Sequence, residues 1–106
     1  MNISGKLVDI HERKIYPALI SVEDGIIDSI IHVENCDEVY IMPGLIDAHV
    51  HIESSMLTPV EFARTAVTHG SVGAVSDPHE IANVLGILGV EFMIENGKKC
   101  PFYFWF

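Results

Sequence analysis

The stretch Pro43-Gly44-Leu45-Ile46-Asp47-Ala48-His49-Val50-His51-Ile52-Glu53-Ser54-Ser55-Met56 decides how this chain is read, because it puts two imidazoles at i and i+2 near the end of an apolar run. Side chains alternate across a strand. An extended segment here gathers Asp47, His49, His51 and Glu53 on one face and Ile46, Ala48, Val50 and Ile52 on the other. With a rise of about 3.3 Å per residue, the two histidines stand roughly 6.6 Å apart along the strand, which lets both rings converge on one divalent cation. Two ligands make only part of a site, so further donors must come from other segments.

Upstream, residues 3–10, 15–22 and 26–33 are short runs rich in Ile and Val, punctuated by His11-Glu12-Arg13-Lys14 and Glu23-Asp24-Gly25. This is the pattern of antiparallel hairpins, and Asp24-Gly25 predicts a tight two-residue turn. The all-β segment ends near Val39-Tyr40-Ile41-Met42, where Pro43-Gly44 marks a change of course. Downstream the pattern becomes strand, helix, strand, helix, strand. Thr58-Pro59-Val60-Glu61 predicts an N-cap, a first-turn proline and a third-position acid, opening a helix that runs to about His69-Gly70. Ser71-Val72-Gly73-Ala74-Val75-Ser76 reads as a second buried strand. Asp77-Pro78-His79-Glu80 repeats the helix-opening pattern, with Asp77 as N-cap, before a helix that ends near Gly97. Pro101-Phe102-Tyr103-Phe104-Trp105-Phe106 is an aromatic run with strong strand preference. The fold class expected is α/β, with an all-β segment over 1–43 and parallel βαβαβ units over 44–106 that form the start of a (β/α)8 barrel. The 106 residues fall short of the ~250 that such a barrel uses, so the chain reads as truncated.

Fifteen acidic against six basic residues give a formal charge of -9, which argues against a nucleic-acid polymer or an anionic membrane surface as partner. Cys36 and Cys100 have no paired spacing, so neither a disulfide framework nor a cysteine zinc site is indicated. The opening Met1-Asn2-Ile3-Ser4-Gly5-Lys6 lacks an apolar export core, and Glu91 interrupts the longest later apolar run. A cytoplasmic location is the expectation.

The β-rich leader followed by Pro43-Gly44-Leu45-Ile46-Asp47-Ala48-His49-Val50-His51 resembles the amidohydrolase superfamily. The strings Ile52-Glu53-Ser54-Ser55-Met56-Leu57-Thr58-Pro59 and Asp77-Pro78-His79-Glu80-Ile81-Ala82-Asn83-Val84 narrow this, being similar to the adenine deaminases, which convert adenine to hypoxanthine and ammonia. The resemblance spans the whole chain but only the N-terminal portion of that family's length. It implies a small β-sandwich, to which residues 1–43 contribute, beside a (β/α)8 TIM-like barrel with a binuclear centre of divalent metal. Mn²⁺ is expected, with Fe²⁺ or Zn²⁺ as alternatives. His49 and His51 match the first-strand metal ligands, and Asp77 and His79 match a motif at the mouth of the second strand, where they would approach an auxiliary metal or the substrate. The catalytic carboxylate and the later ligands are expected beyond Phe106. A homo-oligomer is expected of the full-length protein.

Several of these residues also have plainer readings. The paired histidines would form a polar patch on an edge strand if no metal were bound. Asp47 either orients a ligand imidazole or satisfies backbone donors where the strand begins. Glu53 lines the pocket or faces solvent just past the strand. Helix initiation accounts for Asp77, Pro78 and Glu80 and leaves only His79 unexplained. Ser54 and Ser55 read as loop residues rather than contacts to purine edges, His69 as a helix-terminal cation, His11 and His32 as surface residues, and Cys100 as a small buried hydrophobe. Two rival functions remain beside deamination. A cyclic-amide hydrolase would keep the two histidines but open a dihydropyrimidine or hydantoin ring, and a stand-alone metal-binding or interaction module would carry no catalysis.

Overall fold

The computed structural model describes all of residues 1–106 and divides into two compact units, Met1–Pro43 and Gly44–Phe106.

The first unit is a single four-stranded sheet in the order β3-β2-β1-β4, built from β1 (Asn2–Asp9), β2 (Lys14–Glu23), β3 (Ile26–His32) and β4 (Tyr40–Ile41). β1 and β2 form an antiparallel hairpin from Asn2 opposite Ser21 to Asp9 opposite Lys14. Its turn is held by Asp9 Oδ1, which accepts from the backbone N–H groups of His11 at 3.0 Å and Glu12 at 2.9 Å. The β2–β3 turn has φ of 50° at Asp24 and 78° at Gly25, the double positive twist of a type I′ turn, as the Asp-Gly pair predicted. Gly25→Ala is therefore expected to destabilise this unit by roughly 1 kcal/mol, read as a lower urea midpoint, although the replacement Cβ would meet nothing within 4 Å. β4, at the end of the segment read as all-β, joins the sheet parallel to β1, with Lys6 opposite Tyr40. Leu7, Ala18 and Ile20 form a small core with Tyr16, Val22 and Ile41 packed against it, while Ile15, Ile26, Ile27, Ile30 and Ile31 remain exposed.

The second unit is a parallel three-stranded sheet, β5-β6-β7, formed by β5 (Leu45–Val50), β6 (Ser71–Ser76) and β7 (Tyr103–Trp105). Helix α1 (Pro59–Ala66) links the first two strands; α2 (His79–Leu85) and α3 (Ile87–Gly97) link the second and third. Mixed α/β architecture with parallel strands is thus as the alternating pattern predicted. The aromatic run does form a strand, though only three residues of it do.

Local details depart from the pattern, each for a physical reason. The histidine strand stops at Val50; His51 is still extended at φ -102°, and Ile52–Ser55 then coil into a 3₁₀ turn that ends at Met56 in the left-handed region. Alternation therefore fails after His51, and Glu53 does not share the histidines' face. The apolar face is also less covered than expected, since β5 is an edge strand on which Ile46 is exposed; only Ile52, in the turn, is fully buried. Helix α1 ends at Ala66 and tightens to a 3₁₀ turn over Val67–His69. Thr58 precedes it without a side-chain cap; instead Asn96, on α3, accepts from the Val60 N–H at 3.0 Å. The single helix expected up to Gly97 is broken at Gly86, whose φ of 61° and ψ of -146° belong to a region only glycine enters cheaply. Asp77 is not the cap of α2 either, because its side chain is engaged by His79.

Candidate metal centre

The residues of interest lie where β5 and β6 end side by side. The ladder closes with the Asp77 N–H donating to Val50 O at 3.1 Å, which brings the segment after β6 against the segment after β5. Polar groups from both loops meet there, at the carboxyl ends of parallel strands where ligands of open α/β sheets gather.

His49 and His51 face one another, their Nε2 atoms 3.1 Å apart and their rings edge to face. His51 Nδ1 lies 2.9 Å from the backbone oxygen of Asp77. A carbonyl oxygen only accepts, so Nδ1 carries the proton and the lone pair of neutral His51 sits on Nε2. That fixes the tautomer a metal ligand needs, through the kind of outer hydrogen bond that orients ligating imidazoles. Without a cation, the His49 Nε2–H donates into that lone pair. Asp77 completes a triad whose ligand atoms all lie within 4.8 Å of one another, and His51, His79 and Glu80 form a second such group. The donor set suits a divalent ion: bonds of about 2.1 Å from nitrogens separated by 3.1 Å enclose an angle of about 95°. Two imidazoles with carboxylates beside them are the nitrogen and oxygen donors that Mn²⁺, Fe²⁺ and Zn²⁺ accept.

Asp77 and His79 are paired directly, with 3.0 Å between Oδ2 and Nδ1. This hydrogen bond holds the Asp77 carboxyl below its usual range and lifts the His79 imidazole above its ordinary value; partial burial opposes both shifts and charge attraction adds to them. The pair's contribution to stability is complete between roughly pH 4 and pH 6.5, the ordinary values of the two groups. It is lost as pH rises through the raised His79 value and as pH falls through the lowered Asp77 value. An NMR titration of the metal-free chain should give a His79 midpoint above 6.5 that Asp77→Asn moves back down.

The remaining site residues fall into place differently. Asp47 Oδ1 accepts from the His49 backbone N–H at 3.1 Å, so it serves the main chain rather than an imidazole ring. Glu53 does not face solvent: Oε1 accepts from the Ile81 N–H at 3.2 Å, and Oε2 is buried without a partner. Ser54 Oγ donates to the Glu80 carboxylate at 2.7–2.8 Å, and Ser55 Oγ donates to Ile52 O at 2.6 Å. Glu80, which the sequence accounts for as helix initiation, is thus a partner of the β5 loop and a neighbour of His79. Its adjacency to that histidine was the available signal. The Asp77 carbonyl, which fixes His51, is backbone and has no sequence signal at all. His69 sits at the end of a 3₁₀ turn, and His11 and His32 are exposed in the first unit, His32 stacked on Tyr16.

Parallel strands ending in clustered histidine and carboxylate donors define a candidate metal-binding α/β protein. The chain belongs to the amidohydrolase family, whose profile matches residues 40–106. It is 59% identical to an adenine deaminase of Salinibacter ruber over 99% of its length, 56% identical to one of Sulfurovum sp. over 100%, and 56% identical to one of Parabacteroides distasonis over 98%. These alignments cover 19%, 20% and 19% of the respective relatives, so the chain spans about a fifth of their length. None of its helices is long and apolar enough to cross a membrane.

Proposed function

We propose that this chain is the N-terminal portion of an adenine deaminase, a cytoplasmic homo-oligomer that hydrolyses adenine to hypoxanthine and ammonia, and that His49 and His51 are the first two ligands of its metal centre. The observation that carries the metal assignment is the approach of the two Nε2 atoms to 3.1 Å, with the His51 tautomer fixed by the Asp77 carbonyl. The relatives' shared name supports adenine as substrate. In this reading residues 1–43 belong to a small β-sandwich and residues 44–106 are the first βαβαβ part of a (β/α)8 barrel.

The C6 amine is a poor leaving group and water a poor nucleophile, so the reaction needs activation at both ends. A divalent cation, Mn²⁺ in this proposal and one of two in the whole enzyme, supplies the Lewis acidity that makes water reactive near neutral pH. His49 and His51 would hold it with neutral imidazole nitrogens, and the Asp77 carbonyl keeps the His51 ring in the tautomer that ligation needs. The side chains of Asp77 and His79 stand beside this pair, where they would approach an auxiliary metal or the purine. The proton-shuttling carboxylate is assigned to residues outside this chain, which for that reason is expected to release no ammonia from adenine alone, even with added Mn²⁺ or Fe²⁺.

The test uses the full-length enzyme that contains these residues. Ammonia release from adenine, with dihydropyrimidines and hydantoins left intact, is the expected result. Opening of a cyclic amide with adenine untouched would overturn the deaminase reading in favour of a cyclic-amide hydrolase.

A further inference from the structure

We infer that Glu53 is a positioning residue: its carboxylate ties the turn after β5 to the first turn of α2 and thereby holds His51 against the Asp77 carbonyl. The inference rests on the reading of His51 as a metal ligand, which it deepens.

Helix α2 begins without a cap of its own. Pro78 precedes it and offers no side-chain acceptor, and Asp77 is occupied by His79. Its Ile81 N–H, at the third helical position, is one of the donors that every helix start leaves unpaired. Glu53 Oε1 reaches across from the other loop to accept it, as a local Ser or Asp normally would. Two further side-chain bonds run between the same two loops, Ser54 Oγ to Glu80 and His51 Nδ1 to Asp77 O, beside the main-chain bond from Asp77 N–H to Val50 O that closes the ladder. Glu53 is the member of this set that engages the helix backbone, so it fixes α2, and with it the Asp77 carbonyl that leads into α2.

The second carboxylate oxygen argues that stability alone does not account for this residue. Glu53 Oε2 is buried with no partner, and leaving such an atom unsatisfied is unfavourable. A short polar residue at position 78 would cap α2 without that penalty, but it would not link the two loops. The link is what sets the ring orientation and tautomer of His51.

Long-range ¹H–¹⁵N imidazole spectra of the metal-free chain, together with Mn²⁺ titration, test the idea. The native chain should show His51 as a single Nδ1–H tautomer. Glu53→Ala should mix the tautomers and weaken Mn²⁺ binding about tenfold, at the low end of the range for outer partners of metal ligands. Glu53→Gln keeps an acceptor oxygen and should retain the native tautomer, with affinity within about twofold of the native chain. If circular dichroism shows Glu53→Ala to be unfolded, Glu53→Asp takes its place: it withdraws the oxygen by about 1.5 Å and should mix the tautomers as well. An unchanged His51 spectrum in Glu53→Ala or Glu53→Asp would overturn the inference. Loss of Mn²⁺ binding in Glu53→Gln with the tautomer intact would also overturn it, by making Glu53 a ligand. A native chain that binds no Mn²⁺ would count against the metal assignment instead, while the tautomer comparison still decides the role of Glu53.

Discussion

His51→Ala should lower divalent-metal affinity by more than the roughly 10–100-fold that follows loss of an outer partner, because it removes a proposed ligand and the bond to Asp77 together. Mn²⁺ titration monitored by calorimetry or electron paramagnetic resonance measures this on the chain. In the proposed full-length adenine deaminase, bound metal and adenine turnover should disappear together. His49→Ala should have the same direction of effect, since its Nε2 is the other half of the converging pair. His11→Ala, in the first unit and exposed, should leave binding unchanged. Unaltered metal content in both His49→Ala and His51→Ala would remove these residues from the coordination sphere.

Ile52→Ala should destabilise the second unit by about 2–5 kcal/mol, the range for truncating a buried aliphatic side chain. Ile52 is fully buried and sits in the 3₁₀ turn directly after His51, so its side chain anchors the loop from which Glu53 and Ser54 reach α2. Urea unfolding followed by far-UV circular dichroism gives the magnitude. Ile52→Val, which loses a single methylene, should fall to about 0.5–1.5 kcal/mol. Ile31→Ala is the control: this residue is 54% exposed in β3, and its loss should stay within about 0.5 kcal/mol. Equal losses at positions 52 and 31 would mean that burial of Ile52 does not hold the unit together.

Much of the strand and helix order was legible because it rests on local signals. Apolar runs separated by Asp24-Gly25 and Pro43-Gly44 mark strand ends by backbone chemistry alone, and the His-x-His spacing declares a shared face within one strand. Local signals failed where a distant group took over a local task. Thr58 looks like the cap of α1, but Asn96 binds a first-turn N–H of that helix; Asp77 looks like the cap of α2, but Glu53 performs that task. The same substitution hid Glu53, which reads as a pocket-lining residue or a solvent-facing acid until the chain coils after His51.

What the sequence by itself determined is therefore the set of donors and the alternation of β and α segments, since both follow from residue spacing and backbone preference over a few positions. Only the tertiary structure decided which donors meet. The Asp77 carbonyl becomes the partner of His51, and Glu80 the partner of Ser54, because parallel pairing of β5 with β6 brings together two loops that lie 26 residues apart in the chain. Both bonds depend on strand register, and the His51 bond also on a backbone atom common to every residue; neither is written in side-chain identity.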